Sequence, residues 1–287
     1  MRILVTGVNG QLGYDVCREL EKRSYNDFKG IDVDDLDITD EAAVRSYIHA
    51  FSPDVVVHNA AFTAVDKAEQ NSDLCYKVNA LGTLYIARAC AEIGAKIAYI
   101  STDYVFDGKK EGEYFPEDAK CPQSVYGATK SQGEEFVKAS TDKYFIVRTS
   151  WVFGINGNNF IKTMLRLAES REELNVVCDQ KGSPTYTADL AKLLCDMILT
   201  EKYGVYHATN EGICSWYEFA CEIFRLSGKS VKVNPVTTEQ YLKMVAQQAK
   251  RPLNSAMNKD KLKLNGFEKL PDWQNALARY LKELTDE

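Results

Sequence analysis

The chain has 287 residues, 45% of them hydrophobic, with 35 basic against 41 acidic side chains and a formal net charge of -6. That apolar content supports a substantial core, in one large domain or two modest ones, without disulfide or metal staples. The near balance of charge, with no block of five like charges, argues against a nucleic-acid partner. No stretch approaches the roughly 20 apolar residues that cross a bilayer, and MRILVTG enters a strand pattern directly, so a cytoplasmic protein is expected with no membrane partner. Eight cysteines without a C-x-x-C pair read as small buried thiols, and three histidines without ligand spacing offer no metal site.

In chain order, the first 150 residues alternate β-rich runs with amphipathic stretches. ILVTG precedes a helix near 11–23, FKGIDV one near 40–51, DVVVHNA one near 72–93, and IAYIST one near 124–139, before YFIVRTS. This rhythm predicts an α/β fold of the Rossmann type: a doubly wound parallel sheet with helices on both faces. Continuous apolar strands at 55–57, 97–100 and 145–148 fit strands covered on both sides. After Trp151 the pattern changes. INGNNF reads as a loop, NVVC as a brief strand, and TADLAKLLCDMILT as a helix packing back on the first layer. Ser215 with Glu218 three residues on forms a capping-box pattern that opens a helix ending near Gly228, and a terminal helix is expected near 272–285. We therefore expect a dinucleotide-binding domain over 1–150 with 175–203 packed onto it, and a smaller C-terminal α/β lobe made of 151–174 and 204–287, the two closing over a cleft.

The first strand runs into Gly7, Gly10 and Gly13, spaced G-x-x-G-x-x-G ahead of a helix. Such glycines permit a tight turn, close backbone approach to a pyrophosphate and close packing of helix on strand, with the phosphates at the positive helix end. Some 20 residues later IDVDDLDITD places Asp32 and Asp34 where a second strand ends. Asp32 is the candidate for an adenosine ribose, and a carboxylate there disfavours a 2′-phosphate, which argues for NADH.

Tyr126 and Lys130 lie one helical turn apart in YGATK, on one face. A phenol is a poor acid–base catalyst at neutral pH unless a neighbouring ammonium lowers its pKa, so the lysine is expected to tune the tyrosine and to reach the nicotinamide ribose. Upstream, Ser101 and Thr102 in STDYVF end the fourth strand, at the carboxyl edge where open α/β sheets bind ligands, and a hydroxyl there can polarise a carbonyl. Arg251 in RPLNS is a candidate phosphate contact, since guanidinium forks match phosphate oxygens.

Taken jointly, GVNGQLG, NAAFTAVDKAE, VNALGT, STDYVFDG, YGATK, RTSWVFG, GNNF, DQKGSPT and RPLNS resemble the extended short-chain dehydrogenase/reductase superfamily, and within it the chain is similar to the dTDP-4-dehydrorhamnose reductases over nearly its whole length. The resemblance implies NADH- or NADPH-dependent reduction of the C4 keto group of a dTDP-linked 4-keto-6-deoxysugar. It implies a catalytic trio of Thr102, Tyr126 and Lys130 supported by Asn79, which orders a relay water or the catalytic helix. It places Gly10, Gln11 and Leu12 at the pyrophosphate, Asp32 at the ribose, Asp37 and Ile38 beside the adenine, and Ala61, Phe62 and Thr63 along the nicotinamide half. Thr102, Asp103 and Trp151 would meet the sugar, and an indole suits that task because its apolar face can cover a deoxysugar ring. Relatives of this kind include homodimers built around magnesium. Asp15 is a candidate for such a site here, although one aspartate does not make one.

Two other readings stay open on sequence grounds. A sugar-nucleotide epimerase or dehydratase would use the same tyrosine and lysine but return the hydride to its substrate; a dehydratase would carry an acidic pair after the fourth strand, where this chain has Asp103 followed by Tyr104. A nucleotide-binding regulatory subunit is the reading from another class, and the intact Thr, Tyr and Lys argue against it.

Overall fold

The computed structural model describes residues 1–245 and 249–286. Six strands form one parallel sheet: β1 (Ile3–Thr6), β2 (Phe28–Ile31), β3 (Val55–His58), β4 (Lys96–Thr102), β5 (Tyr144–Thr149) and β6 (Gly204–His207), in the spatial order β6-β5-β4-β3-β1-β2. The order reverses between β1 and β3, and crevices for ligands open at the carboxyl ends of strands at such a switch point. The helices are α1 (Gln11–Lys22), α2 (Glu41–Phe51), α3 (Thr83–Ile93), α4 (Val125–Ser140) and α5 (Thr187–Ile198).

Alternation along each strand explains the two layers. Ile3 and Val5 of β1, with Val55, Val57, Phe145 and Val147, face α1 and α5, while Leu4, Val56, Ile97 and Ile146 face α2, α3 and α4. Both faces are covered, so the central strands β1 and β3 are buried at every position rather than at every second one. The helix expected over 72–93 is a continuous helical path that widens into a π turn at Lys77–Gly82. Such turns collect at functional sites, and this one carries Asn79.

The lobe over the sheet's carboxyl edge is built differently. Glu173–Val177 pairs in parallel with Lys232–Val236, and three further ladders have strands of only two or three residues, such as Lys181–Gly182 against Cys214–Ser215. Helices α6 (Trp216–Ser227) and α7 (Trp273–Asp286) enclose an aromatic core of Phe153, Tyr186, Phe219, Trp273 and Tyr280. The Ser215 capping box is formed: Ser215 Oγ accepts from Glu218 N (3.1 Å), and Glu218 Oε2 accepts from Ser215 N (2.6 Å).

The expected division of the chain needs correction in two places. Residues 204–207 were assigned to the lobe, yet they form β6 and extend the main sheet beside β5, with Tyr206 opposite Val147 and fully buried. Of 175–203, α5 packs on α1, whereas the strand at 173–177 and Tyr186 belong to the lobe's core. A four-residue strand pattern announces burial but not the sheet that receives it. The cysteines also differ from expectation: Cys75, Cys90, Cys195 and Cys214 are buried, but Cys17, Cys178 and Cys221 are half-buried and Cys121 is exposed.

Candidate active site

A cleft of about 860 Å³ runs along the carboxyl edge of the sheet beneath the lobe, lined from the glycine loop through Asp32–Thr39 and Asn59–Thr63 to Thr102, Tyr126, Lys130, Trp151 and Trp216. Gly7 occupies the left-handed region (φ 71°), where L side chains are strained, and a Cβ there would lie 2.7 Å from Ala60 N. A Cβ on Gly13 would lie 2.2 Å from Gly7 O, so α1 can approach β1 closely only with glycine. The N-cap of α1 is Gly10, which brings no side-chain oxygen to the first amides of the helix. Gln11, Leu12 and Gly13 therefore open their N–H groups toward the cleft at the positive end of the helix dipole, a setting suited to a pyrophosphate. The Gln11 side chain is used elsewhere: Oε1 accepts from Gly154 N (2.9 Å) and Asn159 Nδ2 (3.2 Å), tying the glycine loop to the lobe.

Asp32 ends β2 and lines the cleft, where its carboxylate accepts from Asn9 N and Val33 N, each at 2.8 Å, and braces the glycine loop. Asp34 is exposed and outside the lining. Asp37 accepts from the amide and hydroxyl of Thr39, which hold its pKa below the usual carboxylate range. Ile38, buried beside it, packs against Gly82 of the π turn. Two buried polar atoms of lining residues, Asn59 Oδ1 and Thr149 Oγ1, have no hydrogen-bond partner within the protein. Orphans of this kind are costly unless a ligand completes them, and with the glycine cradle they fit a dinucleotide.

Thr102, Tyr126 and Lys130 converge midway along the cleft. Thr102 Oγ1 caps the short turn after β4, accepting from Tyr104 N (3.2 Å), and donates to Asp103 Oδ1 (3.0 Å). Burial raises the Tyr126 pKa above that of a free phenol, against the opposing pull of a hydrogen bond with Thr102. This reverses the expectation that Lys130 would lower it. The reason is geometric: Lys130 Nζ stands over the Tyr99 ring, 4.0 Å from its centroid, and burial depresses the lysine itself to about 7 against the opposing charge of Glu134. Tyr126 is thus a protonated phenol at neutral pH, the form that can give a proton to a carbonyl oxygen. Asn79 does not reach the cleft. Its carboxamide accepts from Phe62 N (2.7 Å) and donates to Phe62 O (3.1 Å) and Thr129 Oγ1 (3.2 Å), locking the Ala61–Phe62–Thr63 wall to the helix that carries Tyr126.

On the lobe side, Asp103 is buried and accepts from Ser255 Oγ as well as from Thr102, while burial raises its pKa to about 6. Asn254 N donates to Gly108 O (3.1 Å) and Asn254 Nδ2 to Lys110 O (2.7 Å) and Gly112 O (2.6 Å), so RPLNS is a clasp fastening the lobe to STDYVFDG and the loop after it. Arg251 lies outside the cleft lining, and its Nη2 donates to Asp66 Oδ2 (2.9 Å). Asp15 is likewise committed, accepting from the Thr187 hydroxyl and from Arg18 Nη1 (3.2 Å), and among the described residues no group of three potential ligands could hold a metal ion. Trp151 lines the cleft at φ 50°, a left-handed conformation that costs a non-glycine residue about 1–2 kcal/mol.

Three contributors escaped the sequence reading. Glu134, one turn beyond Lys130 on the same face of α4, is fully buried and takes both Arg148 Nε and Nη2 at 2.8 Å, with Ser101 Oγ at 2.6 Å. Burial would raise its pKa, but Arg148 wins and holds it near 2. The i, i+4 step from Lys130 was the legible signal for Glu134; nothing local marked Arg148. Trp216 lines the cleft beside Trp151, whereas the sequence reading marked only the Ser215 and Glu218 on either side of it.

Residues 1–286 match the family model described as the RmlD substrate binding domain. The spore coat polysaccharide biosynthesis protein SpsK of Bacillus subtilis (strain 168) is 42% identical over 282 residues, covering 98% of this chain and 97% of the relative. A solved dTDP-4-dehydrorhamnose reductase from Clostridium acetobutylicum ATCC 824 superposes with a TM-score of 0.95 at 46% identity, covering 99% of this chain and 100% of that one. Another from Bacillus anthracis str. Ames, in complex with NADP, gives a TM-score of 0.94 at 45% identity, covering 98% and 99%.

Proposed function

This chain belongs to the RmlD substrate binding domain family, and on that footing we propose that it is an NAD(P)H-dependent reductase that converts the C4 ketone of dTDP-4-dehydro-6-deoxy-L-mannose to the alcohol of dTDP-L-rhamnose. The observation that carries this reading is the meeting of Thr102 and a protonated Tyr126 in the same cleft as an uncapped helix N-terminus. The nicotinamide cofactor, when bound, supplies the hydride. Gln11 and Leu12 would hold its pyrophosphate through backbone amides at the turn that Gly10 opens, its own amide being bonded to Gly7 O (3.1 Å), with Asp32 at the adenosine ribose, Asp37 and Ile38 on the adenine side, and Ala61, Phe62 and Thr63 along the nicotinamide half. Lys130 anchors the nicotinamide ribose. Thr102 Oγ1 polarises the sugar carbonyl, and Tyr126 donates its phenolic proton to the oxygen as hydride reaches the carbon, so the ketone gains one hydride and one proton.

A dehydratase reading asks for an acid free to act beside the threonine. Asp103 is instead spent on Thr102 and Ser255, and the next residue is Tyr104. On this reading the protein works in the cytoplasm; separately, among the described residues no helix is long and apolar enough to cross a membrane. The test is stoichiometry. With the dTDP-4-keto sugar as substrate, one NAD(P)H should be oxidised per sugar reduced, whereas an epimerase or dehydratase would convert sugar without net consumption and a regulatory subunit would bind cofactor without turnover.

A further inference from the structure

We propose that Trp216 is a positioning residue for the sugar pocket: stacked on Trp151, it presses that indole onto Gly182 and makes the two rings a single rigid wall against which the keto sugar is oriented. The inference rests on the reductase reading above and goes beyond it, because it replaces a lone tryptophan covering the sugar with a sandwiched one.

Both faces of the Trp151 indole are occupied. On one side the rings of Trp151 and Trp216 stack with centroids 3.7 Å apart and planes 11° from parallel, closer than any other ring pair among the described residues. On the other side lies Gly182, where a Cβ would stand 2.8 Å from Trp151 Cε2 and 3.0 Å from Nε1 and Cζ2. The nearest atom is the one recessed between the other two, so the approach is onto the ring face. A bound sugar can therefore meet the edge of this indole, together with the neighbouring edge of Trp216, and not its face.

The backbone shows why a second ring is needed. Trp151 is held in the left-handed region (φ 50°), with its carbonyl accepting from Thr185 N (3.1 Å), a conformation that persists only where the surroundings over-determine it. Trp216 has a fixed base for that task. It is the first residue of α6, directly after the Ser215 capping box, and Cys214–Ser215 is hydrogen-bonded to Lys181–Gly182. The same two-stranded ladder thus supplies the glycine beneath Trp151 and the tryptophan above it. Behind Trp216 stand Phe160, with centroids 4.6 Å away, and Phe219 at 6.3 Å, neither of which lines the cleft. The aromatic series therefore runs from the lobe's core to the cleft and ends in two half-buried indoles. An indole pair serving only the core would be expected to be sealed from solvent; this one opens onto the site.

The experiment compares wild type with Trp216→Ala, Trp216→Phe and Gly182→Ala, reading the far-ultraviolet exciton couplet of stacked indoles, KM and kcat for the dTDP-4-keto sugar, and Kd for NAD(P)H. Trp216→Ala should abolish the couplet and raise KM about tenfold or more, with kcat changed by less than about threefold and the cofactor Kd by less than about twofold. Trp216→Phe should recover most of the KM, since a flat ring can still stack. Gly182→Ala, which displaces Trp151 from the opposite face with Trp216 intact, should raise KM in the same way, and it decides the matter if Trp216→Ala fails to fold. A lost couplet with an unchanged KM would overturn the role of Trp216, as would an equal loss of cofactor binding, which marks general damage. A wild type that fails to oxidise NAD(P)H with this sugar would instead overturn the reading of the reaction.

Discussion

The sheet half and the lobe half of this molecule reach stability by different routes. In the sheet half, strands of four to seven residues lie in continuous parallel register and their side chains alternate between two dry layers. In the lobe most strands are two residues long, and the chain is held by capping boxes, aromatic contacts and side-chain bonds between distant segments, such as Asn254 to Gly112 and Ser255 to Asp103. Regular burial makes a rigid floor for a cofactor, whereas irregular clasps shape a specific wall. The reacting groups sit at the seam, on the floor's edge and facing the wall.

The strongest way to break this comparison is to remove the proton donor from the floor. Tyr126→Phe keeps the ring and its edge contact with Tyr104, whose centroid is 5.4 Å away, but deletes the hydroxyl. Turnover should fall by roughly two to four orders of magnitude, with NAD(P)H binding little changed. Near-normal turnover with chemistry rate-limiting would show that another group delivers the proton.

A smaller effect sharpens the contrast between floor and seam. Glu134→Ala leaves the Arg148 guanidinium buried without its carboxylate and should cost about 3–5 kcal/mol in denaturant unfolding. Asp66→Ala breaks the more exposed pair with Arg251 and should cost no more than about 1 kcal/mol. Equal losses from the two variants would mean that the seam is as tightly integrated as the sheet.

The same division decided what the sequence could reveal. Periodicity reports that a segment is buried and with what repeat, which is why five of the sheet's six strands, the helices on its faces, the glycine loop and the Tyr126–Lys130 pair were visible in one-dimensional pattern. Pattern does not report the neighbour. Residues 204–207 were grouped with the lobe and not marked as a strand, because GVYH carries no sign of the Val147 and Arg148 it lies beside. The sequence also gives no sign that Arg251 pairs with Asp66, which lies 185 residues away. Trp151 was legible as a cleft residue, but not its sandwich between Gly182 and Trp216, which depends on a ladder joining residues more than 30 positions apart. The phenol of Tyr126 was expected to be lowered by a nearby ammonium; burial and the placement of Lys130 over Tyr99 outweigh that, a balance only three dimensions can set.

The central claim is that the floor delivers hydride to a sugar carbon held against the wall while Tyr126 gives the proton, and it is tested most directly by following the hydride itself. Nicotinamide cofactor deuterated at the transferable position of its C4 should be oxidised with the dTDP-4-keto sugar, and the product should carry one deuterium at sugar C4, with solvent hydrogen on the oxygen. Product without deuterium at C4, or label retained in the cofactor while the sugar is transformed, would contradict the account.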